Sequence, residues 1–200
     1  ETLGLYLTGH PIERWRGELE RVVSGRLAAI RPSRQERVVV AGLVVALRSI
    51  ESKRGRMAVL TLDDRSARME VTVFADAYQT FRPLLAKDRL LVVEGEAAPD
   101  DRNGGHSINA QKIYAIEDAR VVYAKRLLVQ VGGNGRAGAL ISDLQGILEP
   151  FRSGRTPVLL DYRRPDARVR LALGAEWRVT PSDELIHRLR EVADEVRVEY

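Results

Sequence analysis

Apolar positions change period twice along the chain. From about Pro11, Trp15, Leu19, Val22 and Val23 recur at spacings compatible with one helical face, and Arg31-Pro32-Ser33 reads as a connector. Residues 1–36 are therefore expected to form a helical lead-in. From Arg37 the period becomes that of strands. Residues 37–48 are a β-branched run whose internal Gly42 suggests a bulge or strong coiling. Residues 57–62 give a second strand and 68–74 a third, alternating Arg68/Glu70/Thr72/Phe74 on a wet face with Met69/Val71/Val73 on a core face. Tyr78, Phe81, Leu84 and Leu85 predict a short helix over 75–86, limited by Pro83, and strands follow at 89–97 and 107–116.

The order β-β-β-α-β-β over residues 37–120 is that of a five-stranded OB-fold β-barrel. A connector over 117–125 is expected next, then a strand at 127–131, a glycine-rich loop at 132–135 and a helix over 137–151. Strands at 157–162 and 168–173, a short strand at 177–179, a helix over 182–193 and a final strand at 196–200 complete the pattern. Thr180 is the expected cap of that helix, with Pro181 in its first turn. The class is α+β, with residues 125–200 forming a small βαββαβ-type sandwich of ferredoxin-like or split-βαβ kind.

Composition narrows the chemistry. The longest apolar stretches fall well short of the ~18 residues that suggest a membrane span, so a soluble, cytoplasmic location with no membrane partner is expected. The chain opens at Glu1 without Met or a leader-like segment, which reads as a fragment. Absence of Cys excludes disulfides and Cys-ligated zinc, and His10, His106 and His187 lack ligand spacing, so no metal or cofactor is expected. Charge is spread evenly, 6 basic against 5 acidic residues over 1–36, 13 against 12 over 37–120 and 13 against 11 over 121–200, so any electrostatic footprint is local.

An OB barrel commonly binds oligonucleotides on strands 2 and 3, flanked by the 1–2 and 4–5 loops. The first loop carries Lys53, Arg54 and Arg56 around Gly55, cations able to follow phosphates without reading base sequence. Arg68 and Phe74 on strand three offer a guanidinium and a ring for stacking, with Arg102 and Lys112 as flanking contacts. Phe74 equally suits a barrel-end core position. Asp63-Asp64 and Asp100-Asp101 resemble two-metal carboxylate pairs but lie in turns, where Asp bonds the local backbone. In the last domain, Trp177, Arg168 and Arg170 can build a docking face, although a single Trp in a small sandwich also suits the core.

The ordered stretches Leu3-Gly4-Leu5-Tyr6-Leu7-Thr8-Gly9-His10-Pro11, Ala41-Gly42-Leu43-Val44-Val45, Lys53-Arg54-Gly55, Leu62-Asp63-Asp64-Arg65-Ser66 and Trp177-Arg178-Val179-Thr180-Pro181-Ser182-Asp183 resemble the C-terminal third of bacterial DNA polymerase III alpha subunits. The resemblance implies a parent DNA-directed DNA polymerase, a nucleotidyltransferase whose catalytic domains lie upstream, so this stretch is not itself the enzyme. It further implies that the OB module meets single-stranded template DNA and that the last domain binds the tau subunit of the clamp loader. The family's sliding-clamp contact belongs to the region upstream, and no match to its motif is found here. A barrel serving only as a protein-docking spacer, without DNA affinity, is the alternative reading. An independent enzyme built on the turn carboxylates is the third.

Overall fold

The computed structural model describes residues 10–100, 105–132 and 137–200. Arg102, Asp101, residues 133–135 of the glycine-rich loop and most of the leading Leu-Gly-Leu-Tyr stretch lie outside the described residues. The chain divides into two compact units, Glu1–Ile116 and Glu117–Tyr200.

In the first unit, a 3-10 turn Pro11–Trp15 runs into a short helix α1 (Arg16–Leu19). The expected helix through Val23 stops early. Ser24 draws the chain onto the barrel, its N–H donating to Val39 O at 2.8 Å and its Oγ accepting from Val39 N at 2.9 Å. The barrel strands are β1 (Glu36–Ser52), β2 (Gly55–Asp63), β3 (Arg68–Val73), β4 (Leu90–Asp100) and β5 (Gly105–Ala115), closed in the order β1-β2-β3-β5-β4. The long β1 pairs with β4 through its first half and with β2 through its second, so one strand serves both sides of the closure. The parallel pairs Glu70↔Ser107, Val71↔Ile108 and Thr72↔Asn109 complete it.

Gly42 is not itself the bulge in β1. The register shifts between Val44 and Ala46, whereas Gly42 admits close approach of β2: a Cβ there would sit 3.0 Å from Leu62 Cβ and 3.2 Å from Asp63 backbone. Even-numbered β2 residues and odd-numbered β3 residues point inward, so Leu60, Leu62, Val71 and Val73 are fully buried beside Leu91, Val93 and Ile108. The alternation expected for strand three holds. Helix α2 (Ala75–Phe81) follows β3 and places Tyr78 in this core, with Phe81, Leu84 and Leu85 packed against it. Leu27 and Ile30 of the lead-in join the same cluster.

The second unit opens with a helix α3 (117–123 of Ile116–Tyr123) where a plain connector was expected. Its buried Ala119 and Arg120 explain the order: Arg120 Nη1 donates to Asp183 Oδ1 at 2.7 Å and to Pro181 O at 3.2 Å, giving an enclosed cation two acceptors. Then come β6 (Arg126–Gly132), α4 (Ala137–Leu148), β7 (Val158–Arg163), β8 (Arg168–Ala172), α5 (Asp183–Arg190) and β9 (Glu195–Glu199). The βαββαβ order is present, but the sheet runs β8-β7-β6-β9 with β6 and β7 adjacent and parallel. A ferredoxin-like or split-βαβ arrangement would part those strands, so that expectation is corrected: the hairpin partner β8 goes to the edge.

Two local expectations also shift. Residues 175–177 form a 3-10 turn, Ala175–Trp177, and only an isolated bridge Thr156↔Val179 replaces the short strand. Helix α5 is capped by Ser182, whose Oγ accepts from Leu185 N, rather than by Thr180. Leu144, Leu148, Leu185, Ile186 and Leu189 pack on Leu127, Val129, Val158, Val196 and Val198 as the second core. No helix among the described residues is long and apolar enough to cross a membrane.

Candidate nucleic-acid interface

The β1–β2 hairpin turns through Lys53-Arg54 and closes at Ser52↔Gly55. Gly55 takes φ +113°, a conformation that L side chains adopt only with strain. Ser52 Oγ fixes the turn by donating to Gly55 O at 2.7 Å and accepting from Arg54 N at 3.3 Å. Lys53 and Arg54 are thereby displayed, and neither has an ion pair among the described residues.

Next to them Phe74 follows β3 and caps α2 through its carbonyl, which accepts from Tyr78 N at 2.7 Å. Phe74 is 51% exposed, whereas Tyr78 on α2 packs in the barrel core. An open cleft of about 510 Å³ is lined by Lys53, Arg54, Met57, Phe74 and Asp76 together with Ser52 and Ala75. Two loose cations beside an exposed ring suit a polyanion that also carries flat bases.

The other predicted contacts fall elsewhere. Arg56 is held by Glu51 at 2.6 Å. Arg68 pairs with Asp63 at 2.8 Å, and six residue steps of extended chain from it to Phe74 put the separation at roughly 20 Å. One base cannot touch both. Lys112 joins Arg37 on Glu94, at 3.5 and 3.8 Å, a cluster on β1, β4 and β5 rather than at the Lys53 turn. The sequence reading passed over Arg48, which lies opposite Val59 on the outer face and pairs with Glu70 at 2.7 Å.

Asp63 and Asp64 are engaged by the protein itself, while Asp100 ends β4 rather than lying in a turn. Asp64 Oδ1 accepts from Ser66 N, Ser66 Oγ and Ala67 N, and its Oδ2 accepts from Leu27 N at 2.9 Å, fastening the lead-in to the β2–β3 turn. Asp63 accepts from Arg65 N and Arg68 Nε, both at 2.8 Å. Burial pushes both carboxyls up, but these bonds outweigh it and hold them below the ordinary range. No group of metal-ligating side chains occurs among the described residues.

A family model for an OB-fold nucleic acid binding domain matches residues 38–116, and one for the DNA polymerase III subunit alpha C-terminal domain matches residues 143–193. DNA polymerase III subunit alpha of Escherichia coli K12 is 46% identical across 100% of this chain, and that of Vibrio cholerae 43%. The chain belongs with the C-terminal region of DNA polymerase III alpha subunits. It spans 17% and 18% of the length of those two relatives. Among solved structures, an OBody bound to hen egg-white lysozyme aligns at 22% identity and TM-score 0.39, over 47% of this chain and 93% of that one.

The stretch matched to the alpha C-terminal domain contains the three residues expected to dock a partner. Trp177 is partly buried against the second core, and Arg152 lies over its ring 4.6 Å from the centroid. Arg168 and Arg170 pair in register with Arg163 and Asp161, on the sheet face turned away from that core. The structure therefore does not bring the three together as one face. Asp161 has no solvent exposure. Arg168 at 2.6 Å and Arg163 at 2.9 Å hold its carboxyl far below the usual range, with Arg170 at 3.7 Å.

Proposed function

We propose that this part of the alpha subunit holds single-stranded template DNA on the barrel, while the second unit docks the tau subunit of the clamp loader and the polymerisation chemistry resides in the rest of the parent chain. The observation that carries the template reading is the cleft where Lys53 and Arg54, without an ion pair among the described residues, flank the exposed Phe74. Cations on the turn follow phosphates and the ring stacks a base, a combination that tolerates any sequence. Arg68, Arg56 and Lys112 contribute less, because each already faces a carboxylate. The same pairing favours a modest, salt-sensitive affinity. A replication role of this kind places the chain in the cytoplasm, with no cofactor of its own.

The test is a titration of labelled single-stranded and duplex oligonucleotides with the 200-residue chain by fluorescence anisotropy at two salt concentrations. Wild type is expected to prefer the single strand. Lys53→Ala/Arg54→Ala is expected to weaken it and to lower the salt slope by about 1.4, at ~0.7 per phosphate contact. If wild type shows no affinity at low salt, the barrel is a docking spacer, a reading its locally paired charges favour, and tau binding is left as the role of the region.

A further inference from the structure

Strand β8 lies at the edge of its sheet, paired with β7 alone, and all five of its residues are exposed. Leu173 N donates to Val158 O, and Arg164 N to Ala167 O. Bonded pairs alternate along an antiparallel ladder, so Val169 and Leu171 turn their backbone groups to β7 while Arg168, Arg170 and Ala172 turn theirs to the free side. Side chains alternate too. Arg168 and Arg170 share the Asp161 face, whereas Val169 and Leu171, 45% and 51% exposed, share the other. Strand edges are blunted by charge, shortness, Pro, a bulge or a covering element; five-residue β8 carries the charges of Arg168 and Arg170 but contains no Pro, and its register with β7 is unbroken, so its outward backbone groups stay in line. Asp161 is the common partner of Arg163, Arg168 and Arg170, so one carboxylate serves three guanidiniums.

We infer that the β8 edge is a docking site for an extended segment of a partner protein in which acidic and apolar residues alternate, added as a fifth strand. The inference deepens the docking role proposed for this unit and rests on it. An added strand would set its side chains about 5 Å from those of β8, carboxylates opposite Arg168 and Arg170 and apolar groups opposite Val169 and Leu171. Charge selects this occupant. A second copy of β8 would oppose arginine with arginine, which is destabilising. A nucleic-acid strand would meet the guanidiniums but leave both the backbone edge and the apolar pair unused.

The experiment titrates a fluorescein-labelled eight-residue peptide of alternating Glu and Val into the whole 200-residue chain, reading anisotropy and backbone amide exchange. Binding is expected with slowed exchange at Arg168, Arg170 and Ala172. Ala172→Pro removes one outward N–H while keeping every arginine, and is expected to weaken binding about tenfold; Arg170→Gln is expected to act similarly through charge. Circular dichroism confirms that each variant is folded, and Arg170→Gln decides the matter if Ala172→Pro is not. The inference is overturned by unchanged binding in the folded variant, by equal binding of a peptide with its Glu and Val residues in separate blocks, or by a thymidine oligonucleotide displacing the peptide at equal concentration. A competition separates the two readings. Tau bound to the chain but not displaced by the peptide removes the edge and leaves the partner, whereas peptide binding without tau binding removes the partner and leaves the edge.

Discussion

The two sheets of this chain treat their edges in opposite ways. The barrel bends one 17-residue strand across two partners and joins β3 to β5, so every barrel strand has a neighbour on both sides. The second sheet stays open at β8, where the backbone groups of Arg168, Arg170 and Ala172 face outward. Charge differs most at the open edge itself: Arg48, Arg56 and Arg68 on the barrel each meet a carboxylate of their own, whereas three arginines at the β7–β8 edge crowd one Asp161. A closed sheet can recognise a ligand only with turns and outward side chains. An open one can also offer its main chain.

The contrast can be pressed first where the barrel is tightest. Leu60→Ala removes a fully buried side chain and is expected to cost about 3–5 kcal/mol in urea denaturation, whereas Val169→Ala on the exposed edge should stay within about 0.5 kcal/mol. Equal losses would mean that closure does not concentrate stability. Asp64→Asn comes next, at about 2 kcal/mol near neutral pH, because four donors converge on that carboxylate. Its pKa lies below the ordinary value of about 3.9, so its contribution is complete above that value and is lost as pH falls through the lower folded pKa. Acid titration of the Asp64→Asn chain should therefore show a shallower loss of stability below pH ~4 than wild type.

Effects on binding are smaller. Phe74→Ala should lower single-strand affinity by about 1–2 kcal/mol without shifting the urea midpoint, since half the ring is already in solvent. A drop in stability instead would return Phe74 to the core. Smallest of all, Arg48→Gln breaks an exposed pair with Glu70 and should change stability by less than about 1 kcal/mol.

Much of this was legible in the residues. Period-two alternation in 68–74 gave the inward faces of strand three, and the run of strands with one helix between the third and fourth gave the barrel. What failed to show was pairing at a distance. Nothing local tells that β6 and β7 lie side by side, because βαβ and split-βαβ units share one element order. Arg120 reads as a surface residue until Asp183 and Pro181 meet it from 63 and 61 positions away. At the β1–β2 turn, the element order pointed to Lys53, Arg54 and Arg56 alike, and the sequence could not set apart Arg56, whose partner Glu51 faces it across the same hairpin.

The Asp64–Leu27 bond also bears on how this protein can be cut. A barrel started at residue 36 would keep every strand yet lose Leu27 and Ile30 from its interior and the Leu27 donor from Asp64. Such a piece would present an apolar scar beside a carboxylate missing one partner, and its solubility and DNA affinity would describe the scar as much as the barrel. Excision upstream of Pro11 keeps that seam shut.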